Sequence, residues 1–316
     1  MHRDSWSRAA RVVAGLAAAT AVIGAAPAYA QTEALPETTE PTERTPVIDR
    51  APARVGFDRD ALIRGHLKNG APGDTLALQR RDPNRAWRVV ARKRVDRDNE
   101  ILFRVQDRRR TAGYRLVYRD EVEKTSTASD GVRIRVRPRL RARVAPRHVM
   151  SGATVTVRGR LWPSVTGRRV VIQKWIRGRW RSVANPYAGD GTFSARIGAK
   201  GEGRKGIRIR FGGDRLNTRR ASVRKMRVYG PSEATWYGPG FYGNRTACGR
   251  RLTRDTLGVA HRRLPCGTLV NILYRGRSVA VPVIDRGPYS SANWDLTSRT
   301  ARRLDFSGRG TIGVDP

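Results

Sequence analysis

Four short segments near the C terminus decide how the fold is interpreted: TACG (residues 246–249), VAH (259–261), LPCGT (264–268) and DRGP (285–288). They combine a carboxylate beside an arginine and a Gly-Pro turn with a histidine and two cysteines. No other part of the 316-residue chain is as rich in reactive side chains. The pattern predicts that residues 231–316 form a small domain with a functional pocket, which the rest of the protein delivers to its place of action.

The segments around these motifs indicate a mostly β domain. Strand candidates at 269–274 and 278–284 are separated by a tight turn at Arg275-Gly276-Arg277. A short helix is predicted at 297–304, with Leu296, Thr300 and Leu304 on one face. We therefore expect short strands and one helix.

The order of these motifs resembles the double-psi β-barrel of the rare lipoprotein A (RlpA) family. The resemblance covers roughly residues 233–315. It is carried by ATWYG (234–238), GNRTACG (243–249), VAHRRLPCGT (259–268), the strand at 278–283, DRGPY (285–289) and WDLT (294–297). It implies action on bacterial peptidoglycan, because the family's enzymes are lytic transglycosylases that prefer glycan strands stripped of peptides. The barrel also occurs in expansins, which loosen walls without evident hydrolysis.

Carried across position by position, the resemblance places Asp285 on the family's catalytic aspartate and His261 on the histidine that follows a small residue. The enzymes commonly have Glu after their ThrAlaSerGly segment, whereas this chain has Arg250 after Thr246–Gly249. Asp295 falls near the aspartate that expansin-like barrels need. Two functions therefore stay open: a wall-lytic enzyme, and a noncatalytic peptidoglycan-binding or expansin-like wall-loosening protein.

The chemistry of glycosidic bond cleavage requires a carboxylic acid to protonate the leaving oxygen. A transglycosylase uses the C6 hydroxyl of the substrate as nucleophile, so one carboxyl group could donate a proton and later accept one. Asp285 is the candidate for this role; the alternative is that it only caps the Arg-Gly-Pro turn. His261 either orients Asp285 or the sugar, or is a structural hydrogen-bonding residue.

Flat apolar rings in a groove would meet the faces of sugar rings. Thr235, Tyr237, Tyr289 and Asp295 are the predicted substrate-binding residues, with Tyr242 and Trp294 as further aromatic candidates. Aromatic residues of a small barrel are equally often part of its core. The sequence has four histidines and no ligand cluster at the usual spacing, so we expect neither a metal nor a cofactor.

Cys248 and Cys266 are the only cysteines of the chain. In a secreted protein, a disulfide between them is the simple interpretation, and closing such a loop contributes ~3 kcal/mol. The alternative is that one of them pairs with His261 for thiol catalysis, which an oxidising compartment disfavours.

The first 30 residues have the pattern of a signal peptide. A basic segment with Arg3, Arg8 and Arg11 precedes an apolar run at 12–26, and Ala28-Tyr29-Ala30 fits a signal peptidase site. A membrane anchor is the alternative, but the run is shorter than the ~20 residues that a spanning helix needs. The protein is therefore expected to be secreted, extracytoplasmic and associated with the cell wall, without a transmembrane segment. Residues 31–50, rich in Pro, Thr and Glu, are predicted to be a disordered linker.

Residues 51–138 and 139–230 are predicted to be two β-sandwich modules of immunoglobulin-like type. Gln79 and Gln173 are 94 residues apart, Trp87 and Trp180 are 93 apart, and alternating strand-like segments accompany both pairs. Because the two tryptophans occupy equivalent places, we expect them to fill the cores rather than to form ligand platforms.

Charge is the last informative property. The chain has 64 basic and 27 acidic residues, a net charge of +37, and residues 51–231 alone carry +31. Such a field favours polyanionic partners. Outside the cell these are anionic wall polymers or lipid headgroups rather than nucleic acid. The expected partners are thus peptidoglycan glycan strands at the barrel and anionic wall polymers at the modules. The alternative is a compositional bias that places arginine on every solvated face.

Overall fold

The computed structural model describes residues 43–106 and 109–316. The predicted signal peptide and most of the predicted linker lie outside these residues. The described part is mostly β, as predicted, with one short helix. Within the described ranges, no helix is long and apolar enough to cross a membrane.

The first module is a sandwich of two sheets. Its strands are β1 (Thr45–Arg50), β2 (Arg54–Gly56), β3 (Ala61–Lys68), β4 (Thr75–Arg81), β5 (Arg88–Arg94), β6 (Glu100–Val105), β7 (Ala112–Arg119), β8 (Ser126–Ala128) and β9 (Val132–Arg137). One sheet has the order β1-β3-β6 and the other β2-β9-β7-β4-β5, with β8 beside β7. Ile63 and Phe103 from the first sheet and Leu78 and Leu116 from the second are buried in a common core. Alternation of buried and exposed residues along β3 and β6 produces this arrangement.

The prediction that the disordered linker extends to residue 50 is wrong at its C-terminal end, because Thr45–Arg50 forms β1. This strand pairs antiparallel with β3. Pro46 is buried, and Ile48 packs against the core of the module. The Pro- and Thr-rich composition concealed a strand whose apolar residues alternate.

The second module repeats the architecture. Its strands are β10 (Arg139–Ala145), β11 (His148–Met150), β12 (Thr154–Trp162), β13 (Arg168–Arg169), β14 (Val171–Ile176), β15 (Arg179–Ala184), β16 (Tyr187–Ala188), β17 (Thr192–Gly198), β18 (Gly203–Phe211) and the first part of β19 (Arg220–Tyr237). The sheet β10-β12-β17 packs against the sheet β15-β14-β18-β19, and their buried residues form one core. The pair Ala142↔Gly159 lies 94 residues after the equivalent pair Ile48↔Gly65. The sequence repeat is therefore a structural repeat, whereas its immunoglobulin-like type stays a prediction.

The expectation that the repeated tryptophans fill the cores is wrong. Trp87 is half-buried outside the core cluster, between the guanidinium groups of Arg81 and Arg115, at 4.7 and 4.6 Å from its ring. Trp180 lies likewise under Arg208, at 4.6 Å. Stacked guanidinium groups cover these rings while keeping their own charge in water, so an indole can remain at the surface.

The C-terminal domain is a closed barrel. It consists of the end of β19, β20 (Val259–Ala260), β21 (Leu269–Tyr274), β22 (Arg277–Asp285), β23 (Trp294–Thr297), α1 (Ser298–Leu304) and β24 (Gly310–Asp315). The strand order β19-β23-β20-β22-β21-β24 returns to β19. Pairs β19–β23 and β20–β22 are parallel. Val259, Val283, Leu296 and Leu304 are fully buried in its core.

Local predictions for this domain are confirmed. Strand β21 has the predicted bounds, and Arg275 and Gly276 form the turn with φ of 44° and 83°. The helix begins at Ser298, and Thr297 caps it by accepting a hydrogen bond from Thr300 N.

No linker separates the barrel from the second module, since the proposed boundary at 230/231 falls inside β19. Its N-terminal part pairs with β18 and its C-terminal part with β24. Across this junction, the Arg227 guanidinium is paired with the carboxylate of Asp315. A continuous strand and an ion pair thus hold the barrel on the module.

Candidate active site

Four residues from four strands form one row across the barrel sheet. Ala260 pairs with Asp285 on one side and with Asp295 on the other, and Asp295 pairs with Thr235. All four line the same cleft. Two interstrand spacings place the Cα atoms of the aspartates roughly 10 Å apart. Strand register therefore brings together two carboxylates that the sequence leaves ten positions apart.

A β-bulge aims Asp285 into the cleft. Val259 pairs with Val283 and Ala260 with Asp285, so Ile284 is an extra residue on β22. Val283 and Ile284 are both buried. In strict alternation Asp285 would follow Val283 into the core, and the extra residue breaks that alternation. Gly258 makes room for the bulge, because a Cβ there would lie 2.5 Å from Ile284 Cγ1.

Backbone donors orient the Asp285 side chain. Its Oδ1 accepts hydrogen bonds from Ala247 N and Arg286 N, both at 2.8 Å. The second of these is the turn-capping contact that the sequence left open as the alternative role. The first comes from a distant loop and holds the carboxylate against the cleft wall. The contacts are compatible with both roles, because Oδ2 is not used by either donor.

Asp295 is a half-buried carboxylate at the other side of the row. Thr235 Oγ1 donates a 2.9 Å hydrogen bond to its Oδ1. Burial raises the pKa of Asp295; the Thr235 hydrogen bond opposes the shift, and the nearby charge of Asp285 adds to it. This carboxyl group is thus easier to protonate than an exposed aspartate.

Two hydroxyl groups at the cleft are buried without a hydrogen-bond partner in normal geometry, those of Tyr237 and Thr246. The pKa of Tyr237 is raised, first by burial and then by the negative charge of Asp285. The phenol therefore stays protonated at neutral pH, close to Asp285. Because unsatisfied buried hydroxyls cost free energy, they point to a ligand or water at this place.

The cleft has a volume of about 450 Å³. Predicted residues Thr235, Tyr237, Asp285, Tyr289 and Asp295 line it. Sequence reasoning missed Phe241, Asn244, Arg245 and Thr246, which line it too. Segment 238–244 is rich in Gly and aromatic residues, but its sequence alone does not indicate which side chains enter the cleft.

The aromatic residues in and around the cleft separate into two groups. Tyr289 is 90% exposed and Phe241 56% exposed at the cleft. Trp294 is buried in the barrel core. Tyr242 does not line the cleft, and its hydroxyl is hydrogen-bonded to Ser298 Oγ. The first group can meet a sugar ring, whereas the second supports the barrel.

His261 supports a loop and does not line the cleft. Its Nδ1 accepts hydrogen bonds from Arg263 N at 3.1 Å and Leu264 N at 3.0 Å, and its ring lies 4.3 Å from that of Trp294. Burial and the neighbouring arginines lower the pKa of His261. The geometry favours the structural alternative, and a direct catalytic role stays a prediction without a contact that supports it.

Two arginines cross-link the loop after β20 and the loop after β22, each donating hydrogen bonds from its own loop to the other. Arg262 donates to Pro288 O at 2.6 Å and to Ala292 O at 2.8 Å. Arg286 donates to Leu264 O at 3.0 Å and to Cys266 Sγ at 3.4 Å. Each loop therefore holds the other. Both guanidinium groups use neutral acceptors here, so they leave the site electropositive.

The predicted disulfide between Cys248 and Cys266 is confirmed, with their Cα atoms 5.7 Å apart. It excludes the thiol alternative with His261. Arg250 is exposed and does not line the cleft; its carbonyl accepts a hydrogen bond from Thr246 N. Within residues 43–106 and 109–316, no three His, Cys, Asp or Glu side chains are grouped to hold a metal ion.

Comparison with known proteins gives the barrel a family. Residues 232–315 match the family described as "Lytic transglycolase". A "Probable endolytic peptidoglycan transglycosylase RlpA" from Synechocystis is 42% identical over 106 residues, which are 32% of this chain and 33% of the relative. A protein of the same description from Aquifex aeolicus is 41% identical over 93 residues, 28% of this chain and 41% of the relative. An "Endolytic peptidoglycan transglycosylase RlpA" from Campylobacter jejuni is 38% identical over 84 residues, 26% of this chain and 30% of the relative.

The match thus spans only 30–41% of these relatives' length. Among solved structures, a tetra-tandem repeat from the extending region of a large adhesion protein covers 86% of this chain and 66% of its own, at 12% identity and a TM-score of 0.35. That likeness is too weak to support an argument. The family match, the motif order and the closed sheet agree that the C-terminal domain, residues 232–315, is an RlpA-like double-psi β-barrel.

Proposed function

We propose that this protein cleaves peptidoglycan glycan strands as a lytic transglycosylase, with Asp285 as the acid and base. The observation that carries the proposal is the placement of Asp285: a bulge and two backbone N–H groups hold it in an open cleft. The cleft belongs to a domain whose relatives are named for this activity. Because those relatives share only the barrel, the activity of the whole chain is inferred.

The proposed reaction needs one proton-transferring carboxyl group. Protonated Asp285 donates its proton to the glycosidic oxygen as the bond to C1 of the muramyl sugar breaks. The carboxylate then accepts the proton of the C6 hydroxyl, whose oxygen bonds to C1 and closes a 1,6-anhydro ring. The enzyme ends in its starting protonation state, and no water is consumed.

Other cleft residues have roles that follow from their contacts. The Tyr237 hydroxyl, protonated and unpartnered, can donate to Asp285 or to the sugar. Tyr289 and Phe241 offer ring faces to pyranose rings at the open side. Arg245 lines the cleft as a cation. It can pair with the lactyl carboxylate that a muramyl residue exposes after its peptide is removed, which favours stripped strands.

The proposal places the protein outside the cytoplasm, where peptidoglycan lies. The disulfide supports this placement, since disulfides persist in oxidising compartments. The predicted signal peptide agrees with it on sequence grounds. Secretion is tested by identifying the N terminus of the protein recovered from the culture medium or wall fraction.

Digestion of purified, peptide-free glycan strands tests the reaction. Mass spectrometry of the products should find new 1,6-anhydromuramyl ends with the wild type and none above background with Asp285→Asn. Hydrolytic reducing ends instead of anhydro ends would exclude a transglycosylase. Equal release by both proteins would exclude Asp285 as the acid.

A second candidate is a noncatalytic wall-binding or expansin-like protein. Arg250 favours it, because this cation stands where the family's enzymes commonly have a carboxylate. Asp295 favours it too, because this carboxylate lines the cleft near the position of the aspartate that expansin-like barrels need. This candidate expects sacculi to be bound and softened without new ends, with Asp295→Asn as damaging as Asp285→Asn.

A further inference from the structure

The two modules share a fold but differ in the number of their acidic residues. Residues 51–138 contain 22 basic and 12 acidic residues, whereas residues 139–230 contain 24 basic and 3 acidic residues. A compositional bias towards arginine would act on both modules alike. The loss of acidic residues from the second module therefore needs its own explanation.

Four arginines of the second module lie together on the outer face of the sheet β10-β12-β17. Arg141 lies directly opposite Arg160, and Arg143 directly opposite Arg158. All four side chains are exposed, while their chain neighbours point into the core. We call these four residues the arginine face. Like charges directly opposite each other on neighbouring strands destabilise a sheet, and here two such pairs are adjacent.

Within the described residues, no carboxylate forms an ion pair with the arginine face. Arg141, Arg143 and Arg158 make no ion pair and no side-chain hydrogen bond within residues 43–106 and 109–316. Arg160 stacks on Trp162 at 5.1 Å and keeps its charge. The exposed carboxylate of Asp190 accepts a hydrogen bond from Thr192 N at 3.0 Å, and its charge interacts with Arg160 without forming an ion pair.

The first module supplies an internal comparison. The pair Arg141↔Arg160 corresponds, 94 residues earlier, to Val47↔His66. There the neighbouring Asp49 binds His66 Nδ1 at 2.9 Å. Arg104 on the same sheet is paired with Asp60 at 3.2 Å. This sheet also has one facing arginine pair, Arg50↔Arg64, but carboxylates lie beside it and there is no second pair. The fold therefore does not require the arginine face.

We infer that the arginine face is a binding site for a linear phosphodiester polyanion. Guanidinium groups bind phosphate through paired hydrogen bonds, and a polyanion would relieve the repulsion between the facing arginines. Alternate residues of a strand are about 6.8 Å apart, so the two arginine pairs form successive rungs along the strands. An extended polymer with a phosphate in each repeat can occupy both rungs, whereas a single phosphate meets one.

The binding chemistry does not depend on the activity of the barrel. The identity of the polyanion does rest on the proposed function. A protein that acts on peptidoglycan is expected to meet a phosphodiester polymer of the cell wall. The site would then hold the protein on the wall while the barrel acts on glycan strands.

Titration of the full-length chain with long-chain inorganic polyphosphate tests the site. The test variant carries Arg141→Gln, Arg143→Gln, Arg158→Gln and Arg160→Gln. The control carries Arg92→Gln, Arg94→Gln, Arg133→Gln and Arg135→Gln, which removes the same charge from exposed positions of the first module. We expect the test variant to lose affinity about tenfold or more at low salt and its salt slope to fall by about 3, at ~0.7 per phosphate contact. Equal losses in test and control variants would overturn the inference.

Thermal unfolding adds a readout that a solvated charged surface would not give. At low salt the test variant should melt above the wild type, because the facing charges are gone. Polyphosphate should raise the melting temperature of the wild type and of the control variant more than that of the test variant. If orthophosphate at the same phosphate concentration stabilises the wild type as much as polyphosphate does, the site takes a single anion and not a polymer.

Retention on cell walls identifies the source. Wild-type protein should bind sacculi that carry their phosphodiester polymers more strongly than sacculi from which acid has removed them, and the test variant should not distinguish the two. Binding needs no cleavage, so an inactive barrel leaves this result intact. Equal binding of the wild type to both preparations would overturn the wall-polymer source.

Discussion

Ala247 N donates a 2.8 Å hydrogen bond to Asp285 Oδ1, and the residue that follows Ala247 is one half of the Cys248–Cys266 disulfide. The bridge joins the loop that carries this donor to the loop after β20. The orientation of the candidate acid thus depends on a covalent link between residues that do not line the cleft.

Breaking this link should weaken both the barrel and the site. Cys248→Ser with Cys266→Ser should cost ~3 kcal/mol of unfolding free energy, as expected for a loop of this length. Glycan cleavage should fall as well, because the Ala247 donor is no longer held. Calorimetry of the wild type with and without reductant, beside the double variant, checks this. Unchanged melting on reduction, or two free thiols in the native protein, would contradict the prediction.

Asp285→Asn should reduce cleavage at least ~100-fold, the usual contribution of general acid–base catalysis. The amide oxygen can still accept from Ala247 N, so the fold should be kept. Asp295→Asn is the matched comparison, since it makes the same change at the other carboxylate of the row. Anhydro ends are counted for both variants, and circular dichroism confirms the fold. A larger loss from Asp295→Asn would assign the proton transfer to that residue.

Asp295 should lower stability at neutral pH. Its pKa is raised in the folded state, so the folded protein binds this proton more tightly than the unfolded chain. The stability it contributes is present below about pH 4, the ordinary value for aspartate, and is lost as the pH rises through the raised value. Asp295→Asn should therefore raise the melting temperature at pH 7, and this gain should shrink towards pH 4. A melting difference that is independent of pH would contradict the assignment.

His261 should have the opposite pH dependence. Its pKa is lowered, so the folded protein disfavours the protonated ring, whose Nδ1 could no longer accept from Arg263 and Leu264. Its contribution to stability is present above about pH 6.5 and is lost as the pH falls through the lowered value. His261→Gln keeps an acceptor but does not titrate. The loss of stability on acidification should therefore be smaller in this variant than in the wild type, with much of the cleavage activity kept.

Gly258→Ala should damage the bulge that aims Asp285. The added Cβ would lie 2.5 Å from Ile284 Cγ1, too close for any side chain without movement of β22. Gly310→Ala is the matched control in the barrel, because its Cβ would meet only Phe306 at 3.8 Å. We expect a lower melting temperature and lower cleavage for Gly258→Ala, and wild-type values for the control. Equal behaviour of the two variants would show that the bulge tolerates displacement.

Local sequence was sufficient wherever neighbouring residues decide the structure. The hairpin at Arg275-Gly276 and strand β21 were predicted from turn chemistry and alternation, and the short helix from the face that Leu296, Thr300 and Leu304 share. The disulfide followed from there being two cysteines in the chain. Strand β1 was missed because its Pro- and Thr-rich composition hid two apolar residues that alternate.

The sequence by itself determined the family of the barrel, the repeat of the two modules and the identity of Asp285 as a candidate acid, because ordered motifs and periodic spacing are properties of the chain. Tertiary structure alone decided which residues meet. The row of Asp285, Ala260, Asp295 and Thr235 depends on the register of four strands, and the facing pairs Arg141–Arg160 and Arg143–Arg158 depend on that of two. Register is a relation between distant segments, and shifting it by one residue turns every side chain of a strand to the other face.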